Sequence, residues 1–316
     1  MQLLKVEGVK LLGVETELGE IEIDNFDTCV ELFGEKADAI IKTTGIKKRR
    51  VAAEGTTSLD LCVRAAKRLM LQCKVTPEEI GAVVSVSFTP AMQMPGNAQL
   101  AQAALGFNKD VIAIDLNHAC AGYPYGLYIA AKLVQDTGKK VLLLDGDVQT
   151  PHVDPTTAPL LSDAGTATLV GPVREADIPV RATTPWSFAF LTDGAKANLL
   201  NLQNDKFHMD GFGVFKFVAQ DAAEWLQEFI KLTTNDQPLI TSFIPHQANV
   251  YMVRELAKKL GLSDELVATG DEVGNCASAS VPIGLKKVIR GQECPRPCLL
   301  AGFGGGLSAG AALIHA

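Results

Sequence analysis

The chain has 316 residues, of which 47% are apolar and 21% are charged, and its formal net charge at pH 7 is −7. This composition is typical of a soluble globular protein with one large or two closely packed domains, and the negative charge argues against a nucleic-acid partner. No apolar run approaches the roughly 18 residues needed to span a bilayer, and the N-terminal segment lacks the apolar core of a signal peptide, so we expect a cytoplasmic protein without membrane contacts.

Taken in chain order, the sequence begins with alternating apolar and charged residues, a pattern typical of a strand. Short continuous apolar runs, which indicate buried strands, then alternate with amphipathic helical stretches. This alternation predicts an α/β layered fold with right-handed crossovers. The predicted strands are Ala82–Phe88, Val111–Asp115, Val141–Asp145, Thr166–Val170, Ile240–Pro245 and Cys298–Gly302, and the predicted helices are Ser58–Gln72, Gly122–Asp136, Phe215–Leu232, Tyr251–Leu260 and Val281–Arg290.

A constant shift of 158 residues lays elements of the second half of the chain on elements of the first. The register shared by several elements, rather than any one matched tetrapeptide, predicts a duplicated α/β unit. We therefore place one half at residues 1–172 and the other at 173–316, packed about a pseudo-twofold axis. The matched segments are 124–127 on 282–285, 82–88 on 240–246, 58–72 on 216–230 and 141–145 on 299–303.

The seven cysteines are odd in number and irregularly spaced. Cys294 and Cys298 lie closest together, but Pro-Arg-Pro separates them and no histidine is near, which argues against a metal site. We therefore expect reduced thiols and no bound metal.

Three polar residues lie near the carboxyl ends of predicted strands or in the loop before a helix: Cys120, His246 and Asn275. Ligands of open α/β sheets bind outside the carboxyl ends of the strands. Cys120 and Asn275 occupy nearly equivalent loops of the two halves, so the pseudo-twofold axis should bring them face to face. Each residue has a structural alternative: a small residue in a bend, a buried histidine after a strand, and a turn or capping asparagine.

Together these three residues predict thioester chemistry. Cys120 stands at the start of a predicted helix, where the helix dipole and free N–H groups favour a thiolate, and its small neighbours leave room for a substrate carbonyl. The thiolate would accept an acyl group. His246 and Asn275 would then donate hydrogen bonds to the oxygen on which negative charge develops.

The C-terminal segment GFGGG, residues 302–306, contains four glycines in five positions. A phosphate-binding loop would need a following Lys-Ser/Thr pair, which the sequence lacks. The better interpretation is a close backbone approach, in which an N–H group of this segment and that of Cys120 form an oxyanion hole.

Six ordered motifs, spread over nearly the whole chain, resemble those of the thiolase superfamily in its β-ketoacyl-acyl-carrier-protein synthase III branch. The resemblance implies a five-layered αβαβα fold, a homodimer and a Cys-His-Asn triad, with no metal or organic cofactor. Biosynthetic thiolases fit less well, because their glycine-rich loop carries a second cysteine that is missing here. The motifs are TTGIKKRRVA (43–52), DLNHACAGYPYGL (115–127), FHMDGFGVFKF (207–217), FIPHQAN (243–249), VGNCASASVPIGL (273–285) and GFGGGLSAGAAL (302–313).

The resemblance implies that an acyl thioester, carried by coenzyme A or by a carrier protein, acylates Cys120. His246 and Asn275 would polarise the thioester carbonyl of malonyl-acyl carrier protein during decarboxylation. The resulting carbanion would attack acyl-Cys120 and give a 3-oxoacyl product of fatty acid or related specialised acyl or polyketide biosynthesis. Phe303 would pack beside the cysteine, and the N–H groups of Gly305 and Cys120 would hold the tetrahedral oxyanion.

Two alternatives to this activity remain open at the level of sequence. An acyltransferase would keep the acyl-Cys120 but pass the acyl group to an oxygen, nitrogen or sulfur nucleophile without decarboxylation, with His246 as general base. A non-enzymatic protein would support an active paralogue in a heterodimer.

Three positions depart from the family pattern where a tryptophan and two arginines usually hold coenzyme A; they are Ala39, Thr43 and Tyr251. Stacking and phosphate contacts are lost with those side chains. The departures predict a larger or carrier-bound acyl donor rather than acetyl-CoA bound in the usual manner. Cys276, next to Asn275, is a further departure, for which a small buried residue is the simplest interpretation.

Basic residues match the positions with which the family meets its acidic carrier protein: Lys216, Lys258 and Lys259, with Arg254 one turn from the lost arginine. A solvated lysine face is the alternative. Met94 stands where the family often has a phenylalanine that crosses the dimer and forms the floor of the partner's acyl pocket. A flexible thioether there predicts a longer or more irregular acyl group.

Overall fold

The computed structural model describes residues 1–173, 184–204, 206–234, 240–289 and 297–315. The strands are β1 Leu4–Val6, β2 Val9–Leu18, β3 Ile21–Asp24, β4 Lys48–Val51, β5 Ile80–Val86, β6 Ile112–Leu116, β7 Lys140–Asp147, β8 Ala164–Pro172, β9 Trp186–Thr192, β10 Leu200–Gln203, β11 Lys206–Met209, β12 Ser242–Pro245, β13 Cys298–Gly304 and β14 Ser308–Ile314. The α-helices are α1 Asn25–Phe33, α2 Ala37–Thr44, α3 Ser58–Cys73, α4 Asn97–Leu105, α5 Gly122–Thr137, α6 Gly211–Phe217, α7 Ala223–Thr234, α8 Val250–Lys259 and α9 Ser280–Val288.

Two five-stranded mixed sheets form the framework of the molecule. The first has the order β2-β8-β7-β5-β6, and the second has the order β1-β9-β14-β13-β12. Four strands of each sheet share one order, β5-β7-β8-β2 in the first and β12-β13-β14-β9 in the second, with the first pairing parallel and the next antiparallel. The matching orders confirm the predicted duplication. The boundary after residue 172 stays a prediction, and β1 from the first half pairs with β9 of the second sheet.

The helices complete five layers. Helices α5 and α9 lie between the two sheets, with α5 contacting strands of both. Helices α3 and α4 cover the outer face of the first sheet, and α7 covers the outer face of the second. On α5, Tyr123 and Leu127 are fully buried and Ala130 and Ala131 allow close packing against both sheets. The five-layered αβαβα prediction is therefore confirmed, and no helix of the described residues is long and apolar enough to cross a bilayer.

Two short 3₁₀ turns begin the two central helices and are related by the same shift of 158 residues. One is Ala119–Ala121 before α5, and the other is Ala277–Ala279 before α9. Ala119 has φ of 41° and Ala277 has φ of 49°. This left-handed conformation is strained for any residue that has a Cβ atom. The duplicated unit thus contributes one strained corner from each half, and Cys120 lies in the first.

The six predicted strands and the helices α3, α5, α8 and α9 are all present, with ends that shift by a few residues. The helix predicted over 215–232 is composite: α6 passes through a π-helical segment, Val218–Ala222, into α7. The predicted end of α9 at Arg290 and the position of Cys294 lie outside the described residues.

Candidate active site

One cavity of about 560 Å³ is lined by Cys120, His246 and Asn275 together. The three residues come from distant parts of the chain, and the duplicated scaffold brings them to the same space, as the strand-end pattern predicts. The remaining walls are mostly apolar and include Leu200, Leu202, Phe207, Met209, Val214, Val218, Met252, Val253 and Leu256.

Glycines let Cys120 approach its surroundings closely. A Cβ atom on Gly304 would lie 2.9 Å from the backbone N of Ala121 and 3.0 Å from that of Cys120. A Cβ atom on Gly122 would lie 2.2 Å from Val86 Cγ1. Both positions therefore exclude any side chain, and the glycine-rich strand end packs directly on the corner that carries the thiol.

Burial determines the ionisation of Cys120. It raises the pKa of the Cys120 thiol to about 12, and the nearby carboxyl group of Asp147 acts in the same direction. The thiolate expected from the helix N-terminus alone is therefore not the resting form, because desolvation of the sulfur outweighs the helix dipole. The sulfur must lose its proton to a neighbouring base when it reacts.

His246 follows β12 and is held on two sides. Its backbone N–H donates to the carbonyl of Ala301 over 2.7 Å, and its Nδ1 lies 3.1 Å from the Ala277 carbonyl oxygen and 2.9 Å from Ser280 Oγ. These contacts leave Nε2 to serve a ligand in the cavity. Burial lowers the pKa of His246 to about 4, so the imidazole is neutral at pH 7.

Asn275 is fixed through its backbone and through one side-chain atom. Its backbone oxygen accepts hydrogen bonds from the N–H of Ser162 over 2.8 Å and from Gln149 Nε2 over 2.7 Å. Its Oδ1 accepts the backbone N–H of Ala277 over 2.9 Å. Since Oδ1 is occupied, the amide –NH₂ is the group that can donate to a ligand in the cavity.

The backbone of Ala277 therefore contacts both partners of the cysteine. Its N–H holds Asn275, and its carbonyl oxygen faces Nδ1 of His246. The left-handed backbone of Ala277 directs these two groups, so its strain has a positioning consequence.

The glycine-rich segment also lines the cavity, as predicted. Phe303 is 5% exposed on β13, and Gly304, Gly305 and Gly306 follow it along the wall. The carbonyl oxygen of Gly305 accepts a hydrogen bond from Ser308 Oγ over 2.7 Å, which fixes the segment beyond the glycine. The role of the Gly305 N–H group in an oxyanion hole stays a prediction.

The predicted docking residues lie outside the cavity on α6 and α8. Lys216, Arg254 and Lys258 are exposed. Lys259 is also exposed, but its Nζ donates to the carbonyl oxygen of Ala219 in the π-helical segment, so it has a structural partner. Docking stays a prediction for all four.

Two other positions singled out in the sequence, Met94 and Cys276, do not line the cavity of their own chain. Met94 is 88% exposed, on a loop after β5. Cys276 is 1% exposed, and burial raises the pKa of its thiol. It packs with Ala164, Val273 and Ile283, which agrees with its interpretation as a small buried residue.

Sequence reasoning missed Ser280, Gln149 and Ala277, all of which hold the Cys-His-Asn group in place. A serine at the start of a helix gives only a capping signal, and Gln149 gives none. Their importance comes from tertiary contacts that join residues 31 to 126 positions apart.

Comparisons with known proteins agree on one family. The model of 3-oxoacyl-[acyl-carrier-protein] synthase III matches residues 114–194, and that of its C-terminal part matches residues 231–316. A β-ketoacyl-[acyl-carrier-protein] synthase III of Serratia proteamaculans is 33% identical over 87% of this chain and 90% of its own length.

Solved structures show the same similarity. A 3-oxoacyl-(acyl-carrier protein) synthase of Burkholderia xenovorans has a TM-score of 0.92 and 28% identity, covering 99% of this chain and 95% of its own. A priming β-ketosynthase of a polyketide biosynthetic pathway has a TM-score of 0.85 and 27% identity, covering 99% of this chain and 98% of its own.

Proposed function

Since this chain belongs to the family of 3-oxoacyl-[acyl-carrier-protein] synthase III, we propose that it joins an acyl group to malonyl-acyl carrier protein by decarboxylative Claisen condensation. It is an acyltransferase that forms an acyl-Cys120 intermediate. The observation that carries this assignment is the single cavity lined by Cys120, His246 and Asn275.

In the first step Cys120 takes the acyl group from a thioester donor. The neutral imidazole of His246 accepts the proton of the thiol at Nε2 while the sulfur attacks the carbonyl carbon. The N–H groups of Cys120 and Gly305 stabilise the tetrahedral oxyanion. The S–C bond of the donor then breaks, and its leaving thiolate takes the proton from Nε2, so His246 returns to its starting form.

In the second step malonyl-acyl carrier protein loses carbon dioxide and becomes an enolate. The enolate oxygen accepts hydrogen bonds from Nε2–H of His246 and from the amide –NH₂ of Asn275. The α-carbon attacks the carbonyl of acyl-Cys120, a C–C bond forms, and the bond to sulfur breaks. The released thiolate takes a proton from solvent. These N–H donors polarise the carbonyl, and the proposal involves no metal or organic cofactor.

The acyl donor is larger than an acetyl group or is carried by a protein. The three positions that depart from the coenzyme A pattern support this, because Thr43 Oγ1 donates to the carbonyl of Ala39 over 2.7 Å and the Tyr251 ring stacks on Phe215 with centroids 6.2 Å apart. None of these groups offers the guanidinium or indole contacts that hold coenzyme A. The cavity volume falls in the usual range for sites that enclose drug-sized ligands.

The partners of the proposed reaction are an acyl carrier protein and a second copy of this chain. The homodimer is supported by β6, an edge strand of the first sheet on which Ile112 is 39% exposed, and by the exposed Met92 and Met94. The cytoplasm is the proposed compartment, in keeping with the free thiols of Cys29, Cys62, Cys73, Cys120 and Cys276.

The test uses the purified full-length protein in two assays. Intact-mass measurement follows acylation of Cys120 by acetyl-CoA and by a panel of longer acyl thioesters on coenzyme A and on carrier protein. Release of carbon dioxide from malonyl-acyl carrier protein follows condensation. We expect rapid acylation by longer or carrier-bound donors, slow acylation by acetyl-CoA, and carbon dioxide release only from protein that can be acylated.

The control is Cys120→Ala, which should show no adduct and no 3-oxoacyl product. An acylated wild-type enzyme that transfers its acyl group without releasing carbon dioxide would overturn the condensation. Rapid complete labelling of Cys120 by acetyl-CoA would overturn the donor assignment alone.

A further inference from the structure

Ser280 lies beside the imidazole of His246, outside the cavity. It is the first residue of α9 and is 2% exposed. Its Oγ lies 2.9 Å from Nδ1 of His246 and 2.6 Å from the carbonyl oxygen of Ala277, and it accepts the backbone N–H of Gln247 over 3.2 Å. The hydroxyl thus contacts two acceptors with a single proton to donate.

The proton count links Ser280 to the tautomer of His246. When Nδ1 carries the imidazole proton, Nδ1–H donates to the Ala277 carbonyl and Nε2 has a free lone pair. When Nε2 carries the proton, the lone pair of Nδ1 faces the Ala277 carbonyl oxygen and needs a donor. Within the described part of the chain, the Ser280 hydroxyl is the group that can donate to Nδ1.

The two proposed steps require different tautomers. Acylation needs the lone pair of Nε2, which accepts the Cys120 proton. Condensation needs Nε2–H, which donates to the enolate oxygen. The change between the steps carries no net charge, because one proton leaves Nδ1 to solvent and one reaches Nε2 from solvent.

We propose that Ser280 is a positioning residue that makes both tautomers of His246 available by rotating its hydroxyl proton between the Ala277 carbonyl oxygen and Nδ1. When the hydroxyl donates to the Ala277 carbonyl oxygen, His246 has its proton on Nδ1, which is the form that acylation needs. When the hydroxyl donates to Nδ1, His246 has its proton on Nε2, which is the form that condensation needs. The link to the two steps rests on the proposed function, whereas the control of the tautomer by Ser280 does not.

The first test measures the tautomer without any substrate. Protein labelled with ¹⁵N in its histidines is examined by long-range ¹H–¹⁵N NMR at pH 7.5, and His246→Asn identifies the signals of this residue among the five histidines. We expect the wild type to contain the Nε2–H form and Ser280→Ala to contain only the Nδ1–H form. Unchanged imidazole shifts in Ser280→Ala would overturn the proposal.

The second test separates the two steps. In Ser280→Ala, condensation by pre-acylated enzyme should fall about 100-fold, the usual effect of losing one oxyanion donor, while the rate of Cys120 acylation changes less than about 3-fold. Ser280→Thr, which keeps the hydroxyl, should recover most of the condensation rate. Equal losses in both steps would contradict the assignment, since a structural defect affects both.

The matched control is Ser278→Ala, which removes a buried hydroxyl from the same corner two residues earlier. We expect Ser278→Ala to leave the His246 tautomer unchanged. It should not slow condensation selectively over acylation. The two failures are distinguishable: a wild type without carbon dioxide release would overturn the proposed function, whereas the NMR comparison would still decide the role of Ser280.

Discussion

Burial, rather than neighbouring charge, sets the ionisation of the reacting side chains. It raises the pKa of Cys120 to about 12 and lowers the pKa of His246 to about 4. A protonated thiol and a neutral imidazole that line one cavity suit the proposed reaction, in which the proton moves only as the sulfur reacts. The same neutral imidazole can later donate from Nε2 without introducing a buried charge.

The lowered pKa of His246 predicts a dependence of stability on pH. Between pH 6.5 and about 4 the unfolded chain binds a proton at this residue and the folded chain does not, so acidification destabilises the fold. Fully developed, the effect on the free energy of unfolding is about 3 kcal/mol. Denaturant unfolding at pH 7.5 and pH 4.5 measures it.

The comparison for this prediction is His246→Asn, which cannot take up a proton. The variant should lose part of its stability at pH 7.5 but show a loss on acidification that is smaller by about 2 kcal/mol than that of the wild type. An identical pH dependence in the two proteins would show that His246 titrates normally in the folded state.

At this scale the sequence alone could predict which polar side chains meet in one cavity but not their support. The shared position of Cys120, His246 and Asn275 could be predicted because strand ends are recognisable along the chain and the duplication relates two of their loops. Ser280 lies 34 positions from the imidazole that it contacts, so no local pattern reports the contact. The pKa of Cys120 was mispredicted for the same reason, since its burial depends on the whole fold.

Among the elements, α6, the π-helical segment and α8 form one wall of the cavity. Val214, Val218, Met252 and Leu256 face the cavity from this wall, while Lys258 stands exposed on α8. The wall therefore combines an apolar inner side with a basic outer side. The π-helical segment lies within a stretch predicted as one regular helix, because a single wider turn has no sequence signal of its own.

Charge reversal on α8 tests carrier docking. Lys258→Glu should raise the KM for the carrier protein about 5-fold with little change in kcat, and added salt should reduce the difference. Lys259 is left intact because it also donates to the Ala219 carbonyl. Steady-state kinetics with varied carrier protein measure both constants.

The matched control is Lys67→Glu on α3, an exposed lysine in the outer layer of the other sheet. It should leave both constants unchanged. If Lys258→Glu and Lys67→Glu behave alike, the basic side of α8 is a solvated lysine face and not a docking surface.

Other elements could not be predicted because their sequences carry weak signals. Strand β14 reads SAGAALI, and its small residues directly after the glycine-rich segment gave no prediction. Helix α4 and strand β9 gave no prediction either. All seven residues of β14 are buried in the second sheet. The strand is defined by its pairing with β13 and β9, which the sequence does not show.

For the whole molecule, duplication is the property that the sequence predicted best. Four strands of each sheet follow the same order, and the corners at Ala119 and Ala277 repeat the same rare backbone conformation. The exceptions are β6, which has no matching strand in the second sheet as described, and β1, which crosses from the first half to pair with β9. A single shift in register could not predict that exchange, because β1 has no counterpart in the other half.

The exposed edge strand β6 predicts assembly of two chains. The wild type should have the mass of a dimer of 33.6-kDa chains, and Ile112→Lys should be monomeric because a charge on an edge strand disfavours pairing. Light scattering after size exclusion measures the mass. The control is Ile21→Lys, which changes an isoleucine on β3 that is 49% exposed, and it should remain dimeric. A monomeric wild type would contradict the prediction.

The two backbone contacts of Ala277 also constrain how this enzyme can diverge. Since the N–H and the carbonyl of one residue orient the carboxamide and the imidazole, a change in its backbone alters both cavity side chains at once and is poorly tolerated. The hairpin β10–β11 and the inner side of α8 line the same cavity but do not orient the imidazole or the carboxamide. New acyl preferences can therefore arise on those walls while the reaction chemistry stays fixed.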